Sequence, residues 1–162
     1  MKKQKGFSLI ELLIVVAIIL IIAAIAIPNL LRSKMAANES SAAASVRSIV
    51  TAQVTYNSTY GIGYAASLKA LGSGATVPCT ATSAAACLLD SVLSSGTKSG
   101  FNVATVGTAQ TFVASAVPTT LNVTGNKGFC ADETLVVRFQ VPYGGTAPPD
   151  DTTCETWQPM GN

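Results

Sequence analysis

Residues 12 to 27, Leu-Leu-Ile-Val-Val-Ala-Ile-Ile-Leu-Ile-Ile-Ala-Ala-Ile-Ala-Ile, carry no polar side chain. Extended back to Phe7 and on to Leu31, the apolar stretch covers about 25 residues, enough for a helix to cross a hydrocarbon core of ~30 Å. A secretory signal peptide has a shorter apolar region and stops at a small-residue cleavage site. Ala23, Ala24 and Ala26 imitate such a site, yet the chain continues through Pro28 into more helix-forming sequence. Lys2, Lys3, Lys5 and the amino terminus precede the segment, and Arg32 and Lys34 follow it. That asymmetry favours a cytoplasmic amino terminus.

A plain signal anchor leaves Glu11 unexplained. A carboxylate at the centre of a spanning helix costs about 2.5 to 3.5 kcal/mol on insertion scales, and less near the edge. It needs a cationic partner, and its own helix offers none. If the chain is cut after Gly6, the new amino terminus at Phe7 is a positive charge at the embedded end of the helix.

The run Lys5-Gly6-Phe7-Ser8-Leu9-Ile10-Glu11-Leu12-Leu13 resembles the class III signal of type IV pilins and type II secretion pseudopilins: a short basic leader, Gly at the cleavage point, Phe next, Glu four residues further on. The resemblance implies removal of residues 1–6 by a prepilin peptidase, N-methylation of Phe7, and a charge pair between Glu11 and the Phe7 ammonium of a neighbouring subunit. Pairing removes most of the penalty of a lone carboxylate. Pro28 fits the same family. Inside a helix it deletes a backbone hydrogen bond and kinks the axis; alone it suits a helix start equally.

Beyond Pro28 the pattern turns amphipathic. Ala42, Val46, Ile49, Gln53, Tyr56 and Tyr60 recur at steps of three and four, Val50 and Val54 widen that face, and Ser40, Ser41, Arg47, Ser48 and Thr51 fall mostly opposite. One helix over residues 7–60 is predicted, with its apolar half at 7–31, ended by Gly61 and Gly63. Tyr56 to Tyr64 and Ser67 to Gly72 are similar to the helix exit and connecting loop of many pilins, so residues 61–100 are read as a connecting segment, with a short helix near Cys87 to Leu93. Phe101 to Val106, Thr111 to Val117 and Thr134 to Val141 read as strands, with turn signals at Gly107-Thr108 and Thr124-Gly125-Asn126. In the last strand Leu135, Val137, Phe139 and Val141 alternate with polar or smaller neighbours. The expected fold is α+β, the second half of the long helix packing on an antiparallel sheet of three or four strands within 101–162, with an irregular tail from Pro142.

The chain has four cysteines and no histidine. No C-x-x-C pair occurs, so Cys79, Cys87, Cys130 and Cys154 read as two disulfides in an oxidising compartment. Three connectivities are open, and nearest neighbours, Cys79 with Cys87 and Cys130 with Cys154, are chosen. The second pair resembles the disulfide-bounded C-terminal loop of many pilins.

Without histidine no Ser-His-Asp or Cys-His site can be built, and there is no phosphate-binding Gly motif. The net charge of +2 comes from the leader lysines, and beyond Leu30 charges balance, which gives no nucleic-acid footprint. Asp132-Glu133 and Asp150-Asp151 are the only adjacent acids. Major pseudopilins bind calcium in such tails, but calcium needs six to eight oxygens, and both pairs read as solvated turn acids. Asn57-Ser58-Thr59 and Asn122-Val123-Thr124 match a short glycosylation sequon. No cofactor, metal or enzymatic activity is expected.

The resemblance implies a single-pass inner-membrane precursor, drawn out by assembly machinery into a homopolymer bundled through its apolar helices, an extracellular pilus. A pseudopilin in a periplasmic pseudopilus is the alternative, and the disulfide-rich tail favours the pilin. The remaining class is a membrane-anchored DNA- or ligand-binding module that never polymerises.

Overall fold

The computed structural model describes residues 7–73, 78–145, 147 and 150–161, without the side chain of Asp151. Gly6 and the leader lysines lie outside the described residues. The chain divides into two compact units, 1–34 and 35–162.

Helix α1 (Leu9–Tyr60) runs through both units and contains Pro28. It therefore does not begin at Pro28, where the missing N–H would otherwise suit a first turn. In the first unit its Leu, Ile and Val side chains are exposed throughout. This stretch is long and apolar enough to cross a membrane. The helix stops where Gly61 takes φ +64, with its N–H donating to the carbonyl of Asn57. This left-handed exit costs glycine nothing.

The second unit holds the core. Ala42, Ala43, Val46, Ile49, Val50, Ala52 and Tyr56 of α1 are buried against Phe101, Val103, Phe112, Ala114, Ala116, Phe129 and Ala131. Gln53, the one polar residue on the predicted face, is fully buried, whereas Val54 stays half exposed. Helices α2 (Leu68–Leu71) and α3 (Ser91–Ser94) lie in the connecting segment. The second is capped by Asp90, whose side chain accepts from the Leu93 N–H.

The sheet is an antiparallel meander of six strands among the described residues, in the order β1 (Thr97–Lys98), β2 (Phe101–Gly107), β3 (Phe112–Pro118), β4 (Gly128–Asp132), β5 (Arg138–Gln140), β6 (Gln158–Pro159). The α+β fold with a long helix and an antiparallel sheet is as expected. The strand count exceeds three or four because two-residue pieces extend both edges.

One strand goes beyond those read from the sequence, and two local expectations are corrected. All five residues of β4 are buried, so this strand lacks the alternation that reveals a half-buried one. The strand expected over Thr134 to Val141 shrinks to β5, because Asp132 to Leu135 forms a turn. There Leu135 takes φ +64 and its N–H donates to the Asp132 carbonyl. The tail is not wholly irregular: it forms α4 (Asp151–Glu155) and β6. Hydrogen bonding from Thr153, through its side chain and its N–H at 2.8 Å, and from the Thr152 hydroxyl at 3.0 Å holds the Asp150 carboxyl below the usual range.

Asp132 is also not a solvated turn acid. It is fully buried, its Oδ1 accepts from the Thr134 N–H at 2.9 Å and from the Thr134 hydroxyl, and its Oδ2 lies 3.9 Å from Nε of Arg138. Burying an acid calls for such partners; Thr134 supplies the hydrogen bonds, while Oδ2 and the Arg138 Nε face each other without one.

Candidate functional site

Ser8 immediately precedes α1, and the Leu12 N–H reaches its carbonyl at 3.2 Å. Glu11 Oε2 accepts from the Ser8 N–H at 2.9 Å. This is one half of a capping box, in which the acid at the third helical position satisfies an orphan N–H at the helix start. The sequence signal, Ser-x-x-Glu ahead of an apolar run, lies within the leader motif, and reading that motif alone hides it.

The geometry gives Glu11 two tasks. Oε2 is held by its own backbone, which fixes the carboxylate beside the first turn. Among the described residues Oε1 takes no hydrogen bond. The negative charge sits at the positive end of the helix dipole, four residues from Phe7. Phe7 is described with its ring exposed, while Gly6, the other half of the expected cleavage bond, is not described.

Pro28 has no N–H to offer the carbonyl of Ala24. Five residues further on, the Ser33 hydroxyl donates to the Asn29 carbonyl, a contact that competes with the backbone bond and eases bending.

In the second unit Cys79 is bonded to Cys87 and Cys130 to Cys154. Cys130 and Cys154 are fully buried and form a second cluster with Val113, Tyr143 and Trp157. Gly128 packs beneath Tyr143 and Trp157, where a Cβ would lie 2.6 Å from the Tyr143 ring. Replacing Cys130 and Cys154 together by Ser is expected to lower stability by about 3.5 kcal/mol, from the loop of 24 residues they close. Denaturant titration should show it, with the Trp157 emission shifting red as its cover loosens; unchanged midpoint and emission would contradict the assignment.

A groove of about 410 Å³ is lined by Ala36, Glu39, Lys127, Phe129, Phe139 and Met160, among others. Its acid and base are paired with each other, Lys127 Nζ lying 3.2 Å from Glu39 Oε2. Glu39 Oε1 also accepts from the Asn126 and Lys127 N–H groups at 2.8 and 3.2 Å. The groove thus offers no free acid–base pair; its polar groups tie α1 to the loop between β3 and β4. Sequence reading missed this clasp, since Glu39 and Lys127 are far apart in the chain.

Residues 1–27 match the prokaryotic N-terminal methylation motif. The chain is 50% identical over 56 residues to the type IV wide pilus major component PilA4 of Thermus thermophilus, a match covering 35% of this chain and 43% of that protein. It is 46% identical over 54 residues to the type IV major pilin protein PilA of Myxococcus xanthus, covering 33% of this chain and 24% of that protein. The matched segment thus spans less than half of either relative. No solved structure matches the chain. The chain is thus similar, over about a third of its length, to two type IV pilus proteins, and its apolar helix is long enough to cross a membrane.

Proposed function

We propose that this chain is a structural subunit that polymerises into a type IV pilus after cleavage between Gly6 and Phe7 and N-methylation of Phe7. The observation that carries this reading is Glu11 at the start of the exposed first part of α1, which is otherwise apolar through Leu31. A bare surface of that size needs lipid or copies of itself. A carboxylate fixed at its end selects a partner that brings a positive charge, and the processed amino terminus of a neighbouring subunit supplies one. Membrane residence is then temporary, and the same apolar surface that holds the precursor in lipid packs the filament core.

In this reading Pro28 marks where α1 can bend as subunits pack. The partners are prepilin peptidase, the inner-membrane assembly machinery and further copies of the chain. The role is structural, in keeping with two relatives that are pilus components by name.

Filaments sheared from the cell surface test this directly. Their mass spectrum is expected to contain this chain beginning at N-methylated Phe7. A chain confined to the cell envelope would overturn the pilin reading in favour of a pseudopilus or an anchored module. An unprocessed amino terminus within filaments would overturn the cleavage step alone.

A further inference from the structure

Among the described residues three buried side-chain atoms lack a hydrogen-bond partner: Asp132 Oδ2, Glu133 Oε2 and Arg138 Nε. All three belong to the stretch where β4 turns into β5. Proteins pair nearly all such groups, with each other or with ordered water, so three orphans along one turn need a common cause.

The register of the sheet brings two of them together. Cys130 pairs with Arg138, and Val113 with Asp132. Alternation along β4 puts Cys130 and Asp132 on one face, so Arg138 is the diagonal neighbour of Asp132 across the ladder. That face is dry, since Val113 and Cys130 lie buried on it with Tyr143, Cys154 and Trp157. The Asp132 side chain is 0% exposed and that of Arg138 18%.

At 3.9 Å, Oδ2 and Nε stop short of a hydrogen bond, which needs about 2.7 to 3.2 Å. The Asp132 carboxylate is kept from closing the gap, because Thr134 holds its other oxygen through both N–H and hydroxyl. The orphans are two acceptors and one donor. One water molecule has two protons to give and a lone pair to receive, which matches all three. Placed about 2.8 Å from both Oδ2 and Nε, it subtends roughly 90° between them. Buried waters commonly make about three hydrogen bonds. A metal ion fits worse, because the Arg138 guanidinium repels it. Among the described residues, moreover, no group of three or more His, Cys, Asp or Glu side chains is placed to hold one.

We propose that a single internal water binds between Asp132, Glu133 and Arg138. It accepts from the Arg138 Nε–H and donates to Asp132 Oδ2 and Glu133 Oε2. The water ties β4 to β5 across the turn in which Leu135 takes φ +64. It also does for the buried carboxylate what a direct ion pair does elsewhere. The site is local to this turn and stands whether or not the chain polymerises.

Nuclear magnetic resonance on the isotope-labelled full chain in detergent micelles tests it. The Arg138 Hε is expected to show a dipolar cross-peak to a long-lived water and slow exchange with solvent. Glu133→Ala removes one of the three partners and should speed that exchange by about tenfold or more, the worth of one hydrogen bond to a charged group. Trp157 emission, unchanged, reports that the variant is folded. Glu133→Gln keeps an acceptor at the same reach and should restore slow exchange. Absence of the cross-peak in the parent overturns the proposal, as does scalar coupling through a hydrogen bond running directly from Nε to the Asp132 carboxylate. Shifts of the Asp132 and Arg138 signals on adding calcium, reversed by a chelator, also overturn it and assign the site to a cation. Exchange unaltered by Glu133→Ala overturns the three-partner site.

Discussion

Glu11→Ala should abolish filaments while leaving the chain in the membrane. Removing a carboxylate from an apolar helix makes insertion easier, so the precursor still partitions into lipid. Assembly is different under the proposed charge pair, because the Phe7 ammonium of each incoming subunit would then enter an apolar core with nothing to pair it. Stripping one partner from a buried ion pair costs about 3 to 5 kcal/mol, a factor of about 10² or more at every subunit contact. Filament counts by electron microscopy and membrane fractionation read the two effects separately. The Ser8 contact complicates this variant, since alanine also removes the cap worth about 1 kcal/mol. Glu11→Gln separates the roles. Glutamine at this position still accepts from the Ser8 N–H but carries no charge. Filaments lost in both variants identify the charge as the cause; filaments restored by glutamine would show that the cap alone matters and would sink the charge pair.

The second large effect is expected at Gln53. Its Nε2 donates to the Ala65 carbonyl and the Thr105 hydroxyl, both at 2.9 Å, and its Oε1 accepts from the Ala65 N–H at 2.8 Å. Thr105 passes the chain on to the Val113 carbonyl at 2.8 Å. One fully buried amide thus joins α1, the segment after it, β2 and β3. Gln53→Leu keeps the volume but orphans the Ala65 N–H and carbonyl, each costing about 1 to 3 kcal/mol when buried. A loss of about 4 kcal/mol follows, or a melting temperature lower by about 12 to 20 °C. Thermal unfolding of the full chain in detergent, followed by near-ultraviolet circular dichroism, measures it. Thr105→Val should cost less, and the double variant less than the sum, because the two side chains share a bond. Strict additivity would mean that they do not act as a network.

How far such features were legible depended on whether their cause was local. The face of α1 that carries Gln53 was readable because helical spacing groups residues irrespective of partners. What Gln53 does there was not, since Ala65 and Thr105 reach it only after the chain has turned. Strands β2 and β3 were visible from apolar runs between turn signals. Strand β4 was hidden, because it lies between the α1 face and the Cys130–Cys154 cluster and has no exposed side. The strand around Leu135 was overcalled because alternation registers side-chain pattern and is blind to a left-handed backbone.

At the amino terminus the methylation motif, the apolar length, the Glu11 charge and even its cap are all written within the first thirty or so residues. By itself the sequence therefore determined that a membrane-length apolar segment carrying one acid opens a long helix, and that this helix precedes an antiparallel sheet. Periodicity, turn chemistry and short-range hydrogen bonds suffice for that. Only the tertiary structure decided that Asp132 is buried beside Arg138, that Gln53 knits three elements together, and that Glu39 clasps a loop 87 residues away. Those outcomes depend on which distant backbone groups are left without partners once the sheet closes over the helix.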